Sequence, residues 1–123
     1  MQPPLALLLR MLVERILDEV FPDETGAARL QQVGLFTLIL MLEGDDKPVT
    51  EGRLAQITGQ DRAAVNRQLH KLITVGLVER TAILGPHGRG RAWHLSIRHT
   101  PETARLSEAL LAAGQASAKG RKG

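Results

Sequence analysis

LAQITGQDRAAVNRQLHKLITVGLVER, residues 54–80, holds two short helical patterns, a tight turn between them and the start of a strand. With Asp61 as N-cap, Val65, Leu69, Leu72 and Ile73 fall on one face of the second helix, whereas Arg62, Ala63, Asn66, Arg67 and His70 fall on the other. One face is a core face and the other is free to bind. The preceding helix, from Thr50 to about Thr58, takes Thr50 as its cap and is expected to bury Leu54, Ala55 and Ile57. Gly59 supplies the backbone freedom that a turn of three or four residues requires.

Gly76 reads as the stop of the second helix. Leu77, Val78 and Glu79 then read as a short strand, and AWHLSI at 92–97 as its antiparallel partner, Trp93, Leu95 and Ile97 alternating against Ala92, His94 and Ser96. Between them, TAILGPHGRGR has the glycines and the proline of a hairpin loop and the arginines of a basic wing. Helix, turn, helix and basic hairpin in this order is how a winged helix-turn-helix offers one helix to the DNA major groove. The expected fold is mainly α with a small β-hairpin, the helices flanking the motif forming a dimerisation region.

The stretch Leu54–Arg80 closely resembles the MarR family of multiple antibiotic resistance regulators. The resemblance is carried by Leu54-Ala55, the turn glycine Gly59, the polar cap Asp61 followed by Arg62, and the closing Gly76-Leu77-Val78-Glu79-Arg80. It extends from Thr50 to Ile97. It implies a dimeric winged-helix transcription factor, a pseudo-palindromic operator and, in many members, release by a small-molecule effector. The wing reads GPHGRGR, without the aspartate usual before the family's wing arginine, and the segment after it has room for about one helix where many members have two.

Composition narrows the function classes. A chain of 123 residues is expected to form one domain, and with no cysteine it excludes disulfides, thiolate catalysis and zinc fingers. There are 4 Lys/Arg against 8 Asp/Glu through Val49, but 12 against 5 from Thr50 onward, so the basic half is the half that holds the motif. That asymmetry suits phosphate attraction. Residues 5–20 are rich in leucine, but Arg10, Glu14 and Arg15 interrupt them, which argues against a signal peptide or a membrane span and leaves the cytoplasm as the expected location.

Outside the motif, a first helix is predicted from Pro3 or Pro4 to about Val20, with Leu5, Leu8, Leu9, Leu12, Ile16 and Val20 as an apolar stripe that Met11, Val13 and Leu17 broaden. A second, from Ala28 to Leu42, is apolar almost all round and reads as the central scaffold helix. Thr100 and Pro101 open a last helix that carries Leu106, Leu110 and Leu111 to about Ala113, and 114–123 reads as a flexible basic tail. The domain is thus expected to span 1–113, with the helix-turn-helix and wing at about 50–97. The leucine surplus of the outer helices points to a homodimer joined through Leu5, Leu8, Leu9, Leu12, Ile16, Leu106 and Leu110.

The candidate DNA-binding residues are Arg62, Ala63, Asn66, Arg67, His70 and Lys71 on the second helix of the motif and Arg89 and Arg91 on the wing. Arginine can fork onto guanine and asparagine onto adenine, while a narrow minor groove attracts arginine. His70, His87, His94 and His99 lack the spacing of metal ligands, and no metal or other cofactor is expected. Asp18, Glu19, Asp23 and Glu24 read as a solvated cluster at a helix end, and no set of nucleophile, base and orienting group can be assembled for an enzyme. The partners expected are double-stranded DNA, a second copy of the chain and an unidentified small-molecule effector, with no membrane. The function expected is a dimeric transcriptional repressor; the alternative is a winged-helix module that binds a protein instead.

Overall fold

In the computed structural model, α1 (Leu5–Asp18), α2 (Gly26–Met41), α3 (Glu51–Thr58), α4 (Arg62–Thr74), β1 (Val78–Leu84), β2 (Arg91–Ile97) and α5 (Pro101–Gly120) follow one another along the chain. It describes residues 4–84 and 90–120, without the side chains of residues 91, 110 and 114–120. After α1, which follows Pro4 with no side-chain cap, the helices start where short polar side chains can accept an orphan backbone N–H. Thr25 accepts from Ala28, Thr50 from Arg53 and Asp61 from Ala64, at 3.0, 3.1 and 2.8 Å. At α5, Thr100 accepts from the Thr103 amide while the Thr103 hydroxyl accepts from the Thr100 amide, a reciprocal cap that leaves Thr103 fully buried. Only Gly59, Gln60 and Asp61 separate α3 from α4, and Gly59 turns the chain at φ 77°.

The centre of the fold is α2, which touches α1, α4, α5 and β2 and buries Leu35, Phe36, Ile39 and Leu40. Around it pack Leu8, Leu12 and Ile16 of α1, Val65, Leu69 and Leu72 of α4, Val78, Leu95 and Ile97 of the hairpin, and Leu106 of α5. The molecule is a winged helix-turn-helix, mainly helical, with one antiparallel hairpin among the described residues. Val49, just before α3, joins the hairpin to the helix-turn-helix: its carbonyl accepts from the Leu95 amide at 2.8 Å and its amide donates to His94 Nδ1 at 3.0 Å. Among the described residues no helix is long and apolar enough to cross a membrane.

Several expectations are corrected. Ile57 is half exposed, because the two-turn α3 meets α4 and β2 through Leu54 and Ala55 on another arc. The first strand runs on to Leu84, so Thr81, Ala82, Ile83 and Leu84 belong to the ladder rather than to the loop. The last helix continues beyond Ala113 to Gly120, over most of what read as a flexible tail. Leu8, Leu12, Ile16 and Leu106 are buried within the chain's own core and are not free for a partner. Leu5 and Leu9 do remain exposed, together with Leu7, Met11 and Leu17. Leu110 lies outside the described side chains.

Lys71 is the largest departure. Its side chain is buried on the inner flank of α4, where Nζ donates to Glu24 Oε1 at 2.6 Å and to the Ile16 carbonyl at 2.9 Å and stands 5.5 Å from the Phe21 ring centre. Glu24 is therefore not a solvated member of an acidic cluster. Its other oxygen accepts from Gln32 Nε2 at 3.1 Å, and the same amide donates to Gln68 Oε1 at 2.8 Å, returning to α4. Burial by itself raises the Glu24 carboxyl, but the hydrogen bonds from Lys71 and Gln32 and the charges of Lys71 and Arg29 outweigh it and hold the group below its ordinary value.

A carboxyl lowered on folding contributes stability above its unfolded pKa and loses it as pH falls through the folded value. Urea midpoints of the native chain are thus expected to decline as the pH drops below the ordinary carboxylate range, and those of a Glu24→Gln variant to be lower at neutral pH and flatter across that window. Lys71→Met alone should cost about 3 to 5 kcal/mol, because it strands a buried carboxylate, and Lys71→Met with Glu24→Leu should recover part of that loss.

Candidate nucleic-acid interface

The buried arc of α4 runs through Val65, Leu69, Leu72 and Lys71, and the opposite arc stands in solvent. Arg62, Ala63, Asn66, Arg67 and His70 are all exposed there, as helical spacing requires once Val65 and Leu72 face inward. Lys71 does not join them: it lies at the edge of the inner arc, where α2 and the α1–α2 turn cover it. The N-terminal end of α4 is capped by Asp61, and its C-terminal end is held in part from another element. Its last carbonyls are met by Arg15 of α1, which donates to the Val75 carbonyl at 2.7 Å, and by Gly76 and Leu77, whose amides donate to Ile73 and Leu72 in a turn with Gly76 at φ 81°.

Glu51, the first residue of α3, organises the outer face, a role that residue patterns alone did not reveal. Its Oε2 accepts from Asn66 Nδ2 at 2.8 Å and its Oε1 lies 3.8 Å from Arg62 Nε. A carboxylate near the N-terminus of α3 is favoured by the helix dipole, and from there it orients an amide and a guanidinium one helix away. Its sequence signal is only an acidic residue after the cap Thr50; the spacing to Asn66 is tertiary. Arg67 differs from Arg62, since among the described residues it has neither an ion pair nor a hydrogen bond. The loop into α3 is fixed separately: Arg53 donates to Asp45 and to the carbonyls of Lys47 and Pro48, and its hydrogen bond holds the Asp45 carboxyl at about 2.

The hairpin register pairs Val78 with Ile97, Arg80 with Leu95 and Ala82 with Trp93, so these six share one face. Near the helices that face is core. Farther out it has run past the core, and Trp93 is 45% exposed with the Arg80 guanidinium 4.9 Å from its ring centre. The alternation of Trp93, Leu95 and Ile97 is thus as expected, but Trp93 stands outside the core. It floors a cleft of about 540 Å3 whose opposite wall is the outer face of α4, including Arg62, Asn66 and His70. Arg89 lies outside the described residues, as does the side chain of Arg91, whose backbone closes the ladder opposite Leu84.

No protein-family model and no curated protein matches the chain. A solved structure from Methanosarcina mazei Go1, described as a "possible transcriptional regulator", is similar over 92% of this chain and 82% of that one, with a TM-score of 0.51 and 14% sequence identity. At that identity the likeness is one of fold. It spans the flanking helices as well as the helix-turn-helix and hairpin.

Proposed function

We propose that this chain is a sequence-specific regulator that binds duplex DNA, with α4 in the major groove and the hairpin against the adjacent backbone. The observation that carries the proposal is the outward face of α4. Arg62, Asn66, Arg67 and His70 stand exposed along it, Asn66 is oriented by Glu51, and Arg67 has no partner among the described residues. A cationic helix face with an oriented amide matches the donor and acceptor code of base edges better than it matches an apolar protein surface. The finer reading, a MarR-like dimeric repressor, rests on the Leu54–Arg80 motif, and in it Arg89 and Arg91 serve as wing contacts.

The dimer in this reading keeps Leu5 and Leu9 of the residues first expected on α1 and replaces the buried ones with Val13 and Leu17. Leu5, Leu9, Val13 and Leu17 form a ridge at i, i+4 spacing beside the buried Leu8, Leu12 and Ile16, and its three leucines are each more than a third exposed. A ridge of this kind is covered at lowest cost by its own copy about a two-fold axis. Two recognition helices would then meet half-sites about 34 to 36 Å apart.

Selection from a random duplex pool at fixed salt is expected to yield a pseudo-palindromic site. On that site Arg67→Ala should cost about 1 to 3 kcal/mol and relax one position in each half-site; an equal loss on mixed-sequence duplex would assign Arg67 to phosphate instead. Recovery of no preferred sequence would favour the protein-binding alternative. Sedimentation should show a dimer at micromolar concentration. Leu9→Glu or Leu17→Glu should dissociate it with far-UV circular dichroism retained, whereas Leu12→Glu should unfold the chain; a monomeric native protein would remove the dimer from the proposal.

A further inference from the structure

The cleft between α4 and the hairpin has no role in recognition by a helix in one groove and a wing in the next, yet it holds the only tryptophan of the chain, left half in solvent. We infer that this cleft seats the sugar–phosphate strand of duplex DNA, with Trp93 against a deoxyribose and Arg80 against a phosphate. The inference rests on the DNA-binding reading above and gives a DNA contact to two residues, Arg80 at the end of the motif and Trp93 on the second strand, that are not among the candidate DNA-binding residues.

The argument begins with the shape of DNA. The major groove is about 12 Å wide and the minor groove about 6 Å wide, and one backbone strand separates neighbouring grooves. A protein that enters the major groove with α4 and reaches toward the next minor groove with its hairpin must straddle that strand. In this fold the space between the two elements is the cleft of about 540 Å3, with Trp93 on its hairpin side. The register supplies the reason for Trp93 to be there: it continues the face of Leu95 and Ile97 beyond the last helix able to cover it.

The chemistry of the lining suits a sugar–phosphate chain. Arg80 covers the Trp93 ring, and such stacking leaves the edge of a guanidinium and its N–H donors available to a phosphate. Arg80 has no ion pair with a carboxylate among the described residues. Arg62 and His70 add cationic or donor groups from the α4 wall. Glu51 is the one carboxylate in the lining among the described residues, and it is engaged by Asn66 and Arg62. Trp93 presents an apolar plate beside these donors, as a deoxyribose lying next to its own phosphate requires. Both contacts are to the backbone, so they add affinity without sequence preference.

Intrinsic emission reports on the cleft directly, since the full chain has one tryptophan and no tyrosine. Titrating it with a mixed-sequence duplex, occupancy being read independently from the anisotropy of a labelled strand, should change Trp93 emission in step with binding. Arg80→Ala should weaken selected and mixed-sequence duplexes by the same factor and reduce the log–log salt slope by about 0.9. Trp93→Ala should weaken both equally, with Trp93→Phe retaining more affinity, each variant being first checked for a native thermal transition. Duplex binding with unchanged emission and native affinity in Arg80→Ala and Trp93→Ala would overturn the inference while leaving the DNA reading intact. Weakening confined to the selected sequence would overturn the backbone assignment in favour of base contact. Absence of duplex binding by the native chain would overturn both.

Discussion

Lys71 and Glu24 form the contact on which the placement of α4 depends. An ammonium and a carboxylate with 2% and 5% side-chain exposure cannot remain charged unless each has the other and the remaining hydrogen bonds are satisfied. Those conditions are met at one position of α4 relative to the N-terminal helices. Lys71 must reach the end of α1 at the Ile16 carbonyl and the α1–α2 turn at Glu24, while Gln68, one turn earlier on α4, meets Gln32 of α2. The apolar contacts of Leu69 and Leu72 supply most of the attraction, but they are non-directional. The ion pair and its amides add directional contacts between α4 and the N-terminal helices, and they place Lys71 inside while its neighbour one turn earlier, Arg67, stays in solvent.

The outward side follows from the buried arc. With Val65, Leu69 and Leu72 inward, Arg62, Asn66, Arg67 and His70 stand in solvent, and the helix-turn-helix is short enough for Glu51 of α3 to reach two of them. The face therefore has an oriented part and a free part. Asn66 is held by a carboxylate and Arg62 lies beside it, whereas Arg67 extends into solvent. Val49 completes the frame by bonding to both Leu95 and His94, so the hairpin leaves the core at a set angle to α4 and a cleft opens between them.

Charge follows the same division. The acidic surplus before Thr50 and the basic surplus after it separate the scaffold from the motif along the chain, and Lys71–Glu24 is the one place where the described structure brings the two together as a buried pair. A cation that counted toward the basic half is thereby withdrawn from the surface. The remaining positive charge of α4 is on Arg62 and Arg67, which stand in solvent.

Sequence alone determined what local rules determine. Helix spacing set the two faces of α4, short polar caps and Gly59 set the turn, and period-two alternation set the face shared by Trp93, Leu95 and Ile97. Tertiary structure decided whatever depends on where an element ends relative to its neighbours. Lys71 and Arg67 are both cations on one helix, and only the position of Glu24, remote in the chain, makes the first a core residue and leaves the second in solvent. Leu8 and Leu9 are adjacent leucines in one stripe, yet α2 and α5 cover one flank of α1 and leave the other bare. Trp93 and Leu95 share a strand face, but the core stops between them. Periodicity tells which side a residue is on; how far the covering element extends is a property of the packed chain.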